Sequence, residues 1–282
     1  MSSIFIVDMR FFITLLQILL PLCYFATIWA YAKGFFRNER VAEVIKRPLL
    51  GLTLLLHTIY IVARTLEYFH PPITSVFELF SLIAFTIGLA YVYIELRTKI
   101  TSTGYFILML PFFFQLFSSM FTKEIPEIPE ILRSHLLGFH VTSALLGYAA
   151  ITISAVYGFL YLMLYHDIKS SQFGVIYKRL PNLEMLERMS FTATVFGFIL
   201  LTIAIIVGLI WLPRITEDIS FTDPKLFGTI VIWLIYASGL TAKRLGGWQG
   251  RRMMVLSVFG FTLTIFSMTI INMFFSEFHR FY

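Results

Sequence analysis

Long apolar stretches recur along the whole sequence and constrain its fold more than any other feature. A helix that crosses the hydrocarbon core of a bilayer needs about 20 mostly apolar residues. Eight segments meet this requirement, approximately 11–33, 48–69, 76–96, 103–121, 136–165, 189–212, 226–242 and 253–275. Only 13% of the 282 residues are charged, whereas soluble domains carry about 25%. The sequence therefore predicts an all-α fold, a polytopic membrane helical bundle of about eight transmembrane helices that forms one transmembrane domain over residues 1–282.

The ends and interruptions of these stretches are marked mainly by prolines. The first stretch is predicted to be a membrane span and not a cleaved signal peptide, because its apolar run is longer than the usual 7 to 15 or so residues. Pro48 is expected at the start of the second span. Pro111 lies inside the fourth span and should kink it, unless neighbouring groups satisfy the freed carbonyl.

The distribution of lysine and arginine between the loops predicts the orientation. The loops of one side carry 15 of these residues, namely Lys33, Arg37, Arg40, Lys46, Arg47, Arg97, Lys99, Lys169, Lys178, Arg179, Arg188, Lys243, Arg244, Arg251 and Arg252. The loops of the other side carry six, namely Arg10, Lys123, Arg133, Arg214, Lys225 and Arg280. Since excess lysine and arginine marks the cytoplasmic side, both termini are predicted to lie outside the cell membrane. The net charge of +6 thus reflects membrane topology, and no nucleic-acid partner is expected.

Histidines are the side chains most suited to chemistry in this chain. Four are predicted at the outer face, one in mid-membrane and one at the cytoplasmic face: His70, His135, His140 and His279, then His57, then His166. Neutral imidazole is a common ligand for haem iron and transition metals. The alternative is that the amphipathic imidazole simply favours helix ends at the membrane interface.

The second span combines ionisable residues that are costly within a membrane. His57 lies near its middle, Arg64 follows on nearly the same helix face, and Glu67 comes one turn later. One interpretation gives His57 an interhelical hydrogen bond and pairs Arg64 with Glu67. The other makes His57 a ligand and lets Arg64 bind an anionic group such as a propionate. At the start of the third span, Ser75 and Glu78 fit a capping box, which requires no function.

Short motifs follow one another in a definite order from about residue 50 to the end. They lie at His57 to Glu78, 132–149, 180–184, 197–211, 223–237, 247–252 and 277–282. In order and spacing they resemble the motifs of the integral membrane cytochrome c assembly proteins of the CcsA/CcmC/HemX type, which handle haem. The resemblance implies an all-helical bundle with an external haem site.

The resemblance also implies roles for individual histidines. By position, His140 and His279 match the two external histidines that ligate haem iron in the family. His57 matches the first of the family's two membrane-embedded histidines. The cofactor implied is a non-covalent, b-type haem.

The sequence departs from the family pattern at two places. Thr241 stands where the second embedded histidine should fall. The tryptophan-rich WGxxWxWD run, which holds haem on the outer face, is reduced to residues 219–223. Within that run, Phe221 still offers an aromatic face, and Asp223 matches the end of the motif.

The function implied is a membrane haem-handling protein of cytochrome c biogenesis, which presents haem on the outer face for attachment to apocytochrome c. A single cysteine, Cys23, leaves no CxxCH motif through which the chain would attach haem to itself. Enzymatic activity is left open, at most as part of a haem-attachment complex. The implied partners are haem, the lipid bilayer, apocytochrome c and a CcsB/ResB-like membrane protein with a large outer domain. One alternative is a HemX-like accessory protein that modulates haem biosynthesis or stabilises a partner complex. Another is a small-solute transporter, for which paired broken helices would be expected.

Overall fold

A computed structural model describes residues 2–122, 134–212 and 224–271 of the chain. In these ranges it consists of helices and connecting loops, with no β-strand. The helices are α1 (Ser2–Arg37), α2 (Arg40–Tyr68), α3 (Val76–Thr98), α4 (Gly104–Phe121), α5 (His135–Lys169), α6 (Val175–Arg179), α7 (Leu183–Trp211), α8 (Pro224–Arg244) and α9 (Arg251–Phe266), the last continued by a π-helical turn, Ser267–Ile271. All but α6 contain a stretch long and apolar enough to cross a membrane. The predicted all-α membrane bundle of about eight spans is confirmed.

Several helices extend beyond the apolar stretches that predicted them. The second helix begins at Arg40, so Pro48 lies inside it. The prediction that Pro48 marks the start of this helix is therefore wrong. A proline removes only one intrahelical hydrogen bond, and the charged residues before Pro48 can continue the helix into hydrated surroundings. In α4, Pro111 is buried and the helix continues on both sides of it.

Residues 1–128 form one compact unit, whose described part is α1 to α4. Helix α1 packs against α2 and α4, while α3 packs against α4. The centre of this unit contains large side chains with almost no exposed surface, among them Tyr24, Tyr60, Ile83 and Tyr91. Buried tyrosines in an apolar core need hydrogen-bond partners, so polar groups lie inside this unit as well.

Residues 129–282 form a second compact unit, in which α5 packs against both α7 and α9. The α5 segment 151–158 is buried throughout. Close approach of α5 and α7 depends on glycine, because a Cβ atom at Gly197 would lie 2.7 Å from Cδ1 of Ile151. Ser154 in the same segment hydrogen-bonds to Ser190 of α7 at 3.2 Å and to Ser257 of α9 at 2.7 Å. Small residues and buried hydroxyls thus hold the three helices together.

Candidate functional site

His140 lies in the second turn of α5 and is fixed against α7 by a hydrogen bond. Its ring nitrogen Nδ1 is 2.8 Å from the backbone oxygen of Ala204. Because a carbonyl oxygen only accepts, Nδ1 must carry the proton. In the neutral imidazole the basic nitrogen is then Nε2, which is the atom that can ligate a metal.

The His140 ring packs against α7 at Gly208, where the absence of a side chain leaves room for it. A Cβ atom at Gly208 would lie 2.9 Å from both Cε1 and Nδ1 of the ring. Real Cβ atoms essentially never approach so closely. Since Ala204 and Gly208 are four residues apart, they lie on the same face of α7 and together accommodate the imidazole.

The other residues predicted for the outer site are only partly described. His135 is the first residue of α5 and is exposed, in contrast to His140. His279, Phe221 and Asp223 lie outside the described residues, so the pairing of His140 with His279 stays a prediction.

His57, in α2, is completely buried and uses both ring nitrogens in hydrogen bonds. Nδ1 lies 3.0 Å from the hydroxyl of Tyr24 on α1, and Nε2 lies 2.9 Å from Oγ of Ser81 on α3. The interhelical hydrogen bond that one interpretation of the sequence expected is therefore present. Iron ligation by His57 stays a prediction, and it requires one of these two hydrogen bonds to open.

The hydrogen bonds continue from Ser81 across the remaining helices of the first unit. Ser81 donates to Oε1 of Gln115 at 2.9 Å, and Nε2 of Gln115 donates to Oγ of Ser119 at 3.1 Å. Ser119 in turn donates to the backbone oxygen of Gln17 at 2.6 Å. The result is a directed chain of neutral groups through α1, α2, α3 and α4. Such a chain satisfies polar groups that would otherwise be costly in an apolar interior.

Arg64 forms a buried ion pair with Glu78, which opens α3. Its Nε donates to Oε1 of Glu78 at 3.1 Å, and its terminal nitrogen Nη2 contacts the same oxygen. The Arg64–Glu67 pair expected from local spacing is wrong, because Glu67 instead accepts from Nε of Arg10 on α1 at 2.9 Å. A buried guanidinium is best compensated by an equally buried carboxylate, and Glu78 provides one.

The environment of Glu78 includes more than a helix cap. Its backbone N–H donates to Oγ of Ser75 at 3.2 Å, which confirms the N-cap half of the capping box. The carboxylate does not return to Ser75 but accepts from N and Oγ1 of Thr74, each at 2.7 Å. Arg64 also lies 4.9 Å from the ring centre of Tyr68. Binding of a propionate by Arg64 would therefore compete with Glu78.

His70, His166 and Thr241 have no described contact with His140 or with His57. His70 is hydrogen-bonded through Nδ1 to the backbone oxygen of Pro71 at 2.7 Å, and His166 is exposed at the end of α5. Thr241, at the position of the second embedded histidine, donates to the backbone oxygen of Ala237 within its own helix at 2.8 Å. Among the described residues, no three His, Cys, Asp or Glu side chains gather as they would around a metal ion.

The side chains that hold His57 were not predicted from the sequence. They are Tyr24 and Ser81, its two hydrogen-bond partners, and Gln115, which accepts from Ser81. Gln115 alone gave a usable signal, since an amide side chain within an apolar run has to find a partner inside the bundle. Tyr24 and Ser81 are too common in membrane helices to be singled out.

Comparison with known proteins decides the family. Residues 51–279 match the family model described as Cytochrome C assembly protein. The chain belongs to this family. It is 29% identical over 228 residues to the cytochrome c biogenesis protein CcsA of Guillardia theta, which covers 73% of this chain and 75% of the relative. It is 26% identical over 223 residues to protein HemX of Brevibacillus brevis, covering 76% and 79%. It is also 32% identical over 120 residues to protein HemX of Bacillus subtilis, covering 43% and 44%. Membership of this family supports a role in cytochrome c biogenesis for this multi-pass membrane protein.

Proposed function

We propose that this protein binds haem on the outer face of the cell membrane through His140 and His279 and presents it for cytochrome c assembly. One observation carries the proposal: Nδ1 of His140 donates to the backbone oxygen of Ala204. Metal-ligating histidines almost always donate their second ring N–H to a carboxylate, a carbonyl or a water, which fixes the tautomer and raises the basicity of the ligating nitrogen. His140 already donates its Nδ1 proton in this way, to the carbonyl of Ala204.

Haem binding in this proposal is non-covalent, so that haem can be passed on to apocytochrome c. Phe221 and Asp223, from the shortened tryptophan motif, adjoin the haem on the outer face. A CcsB/ResB-like membrane protein with a large outer domain is the proposed partner. The orientation rests on the excess of lysine and arginine in one set of loops, which puts both termini outside the plasma membrane.

His57 is the proposed haem ligand inside the membrane. Its burial among α1, α2 and α3 keeps it away from water. Arg64, two helical turns further along α2, would hold a propionate in exchange for Glu78. Both roles follow from the position of these residues in the family pattern and on α2.

The visible spectrum of the purified protein, oxidised and reduced, tests the outer site. Ligation by two histidines gives a low-spin spectrum, and His140→Ala or His279→Ala should remove it or convert it to high spin. His135→Ala is the matched control, since His135 lies on the same helix about 140° away from His140 and should leave the spectrum intact. Loss of haem from His135→Ala but not from His140→Ala would show that the wrong histidine has been assigned.

A second candidate is an accessory protein that modulates haem biosynthesis or stabilises a partner complex. The loss of the motif tryptophans and the similarity to two proteins named HemX favour it. Absence of haem from every folded preparation would support this candidate over haem presentation.

A further inference from the structure

Exposed basic side chains gather at one end of the second unit, where α5 and α8 end and where α7 and α9 begin. They are Lys169, Lys178, Arg188, Arg244, Arg251 and Arg252. None of these six forms an ion pair with another described residue. In the first unit, by contrast, Lys33, Lys46 and Arg47 are each paired with a glutamate. Since the distribution of lysine and arginine predicts that this end of the second unit is cytoplasmic, unneutralised positive charge is expected at the inner surface of the membrane.

Large apolar side chains are exposed beside these charges. In the loop between α8 and α9, Leu245 is 82% exposed and Trp248 is 39% exposed. Next to α6, Phe173 is 55% exposed and meets the ring of Tyr177, with the ring centres 4.8 Å apart. Helix α6 has no buried residue, so packing against the other helices does not explain its apolar side chains. Aromatic side chains together with lysine and arginine are typical of the level of the lipid headgroups, where apolar surface meets acyl chains and charge meets phosphate.

The loop between α8 and α9 has a conformation that depends on its own contacts. Gly250 lies in the left-handed region with φ at +58°, and a Cβ atom there would lie 2.7 Å from the hydroxyl oxygen of Tyr161. The backbone N–H of Trp248 donates to the carbonyl oxygen of Ala242 at 3.1 Å. The guanidinium carbon of Arg252, in the first turn of α9, lies 6.0 Å from the centre of the Trp248 ring. The fold itself therefore holds an indole and a guanidinium side by side.

We propose that this end of the second unit binds anionic phospholipids of the inner leaflet. The binding surface, here called the inner patch, comprises the six basic residues named above together with Phe173, Tyr177, Leu245 and Trp248. Its basic groups donate to headgroup phosphates, and its apolar side chains contact the upper part of the acyl chains. Clusters of about four to eight lysines and arginines beside a membrane span are typical of sites for anionic headgroups. The apolar side chains adjoin the spans themselves, which favours lipid over a soluble acidic partner. The inference goes beyond the proposed haem function and does not depend on it.

Neutralising the arginines at the ends of α8 and α9 tests the inner patch. Native mass spectrometry of the protein in detergent, titrated with phosphatidylglycerol or phosphatidylcholine, measures the binding of each lipid. The parent should bind phosphatidylglycerol more tightly than phosphatidylcholine. The triple change Arg244→Gln, Arg251→Gln and Arg252→Gln should weaken binding of phosphatidylglycerol by at least about 10-fold, since each basic residue near an anionic surface contributes roughly 5-fold. Replacement of the same three arginines by lysine should retain most of the preference.

Three exposed arginines of the first unit provide the matched control. Arg37→Gln, Arg40→Gln and Arg97→Gln remove the same number of charges from residues predicted to lie on the same side of the membrane, and they should leave the affinity for phosphatidylglycerol unchanged. Both triple variants should unfold at the temperature of the parent in detergent, because the changed side chains are exposed. Equal loss of phosphatidylglycerol binding in the two triple variants would overturn the inference, since charge anywhere on this side would then be sufficient. Unchanged binding in the triple variant of the inner patch would overturn it as well.

Fluorescence quenching locates the lipid without changing any arginine. The protein is placed in nanodiscs in which either phosphatidylglycerol or phosphatidylcholine carries brominated acyl chains, which quench a tryptophan that they contact. The difference between the parent and Trp248→Phe gives the signal of Trp248. This signal should be quenched more strongly when the bromine is on phosphatidylglycerol, and equal quenching by the two lipids would overturn the inference. Binding of added polyglutamate by the inner patch, with no preference for phosphatidylglycerol, would overturn it in favour of a soluble acidic partner.

Discussion

Replacement of Gly208 by alanine should displace the His140 ring without disturbing the fold. The added Cβ would lie 2.9 Å from Cε1 and Nδ1 of the ring, whereas comfortable contacts between carbon atoms begin at about 3.5 Å. The ring must therefore move by about 0.6 Å. Because Gly208 and Ala204 share one face of α7, this movement carries the ring away from the carbonyl of Ala204 as well.

The size of the effect follows from the geometry of the hydrogen bond. A bond of 2.8 Å that lengthens by about 0.6 Å leaves the normal range for N–H to O contacts, which ends at about 3.2 Å. Loss of such an outer partner typically weakens metal affinity by about 10- to 100-fold. Alanine is also a better helix former than glycine by up to about 1 kcal/mol, so the free energy of unfolding should change little.

Haem titration of the purified variant, followed by its visible spectrum, measures this prediction, with thermal unfolding as a check on folding. Gly138→Ala is the matched control, since a Cβ atom at Gly138 of α5 would meet nothing within 4 Å. Gly138→Ala should bind haem as the parent does. Equal haem affinity in Gly208→Ala and Gly138→Ala would refute the argument that Gly208 and Ala204 orient His140 as a ligand.

Three further predictions concern the membrane orientation and the buried polar contacts. Cysteines introduced in the loop 124–130 should react with impermeant reagents from outside, and those in the loop 243–252 only after permeabilisation; the reverse labelling would overturn the orientation. Arg64→Met should cost about 3–5 kcal/mol of unfolding free energy by leaving Glu78 buried and unpaired, and the double change with Glu78→Leu should cost less than either single change; equal costs would contradict a coupled pair. Ser154→Ala should lower the unfolding free energy by about 1–2 kcal/mol by removing interhelical hydrogen bonds, which thermal unfolding in detergent can measure; an unchanged melting temperature would contradict this.

The membrane spans were predictable because the thickness of the hydrocarbon core sets the length of a spanning helix. A helix must satisfy its own backbone and reach across about 30 Å of hydrocarbon, and this requirement appears in sequence as an apolar run of known extent. The exact helix ends were not predictable by the same rule. Charged side chains interrupt the apolar pattern in residues 40–47, at Arg40, Glu43, Lys46 and Arg47, yet these residues belong to α2, because outside the hydrocarbon the apolar pattern no longer determines whether a helix continues.

The candidate site was predictable only where a side chain carried the signal. His140 and His57 are rare, ionisable residues and were noticed for that reason. The partner of His140 is a backbone oxygen of Ala204, 64 residues further along the chain, and a backbone group gives no signal in sequence. Its identity depends on the register between α5 and α7, which only the packed structure provides.

The error about Arg64 has a related cause. Glu67 lies three residues from Arg64, and such local pairs on a helix are worth only about 0.2–0.5 kcal/mol. Contact with Glu78, 14 residues away on α3, pairs two buried charges that would otherwise be left without water. Desolvation makes the buried pairing decisive, so the long-range partner prevails over the local one.

The described partners of the two histidines also bear on how tightly haem would be held. Nδ1 of His140 donates to the neutral carbonyl of Ala204, and His57 is bonded to the neutral hydroxyls of Tyr24 and Ser81. Hydrogen bonds to ionised groups are about twice as strong as those between neutral groups, so a carboxylate on Nδ1 of His140 would make its ligating nitrogen more basic than the carbonyl does. Strong ligation suits a resident cofactor, whereas a protein that passes haem on has to release the iron. The carbonyl of Ala204 orients the His140 imidazole without strengthening it as a ligand as much as a carboxylate would, and this hydrogen bond therefore fits the proposed transfer role better than permanent haem binding.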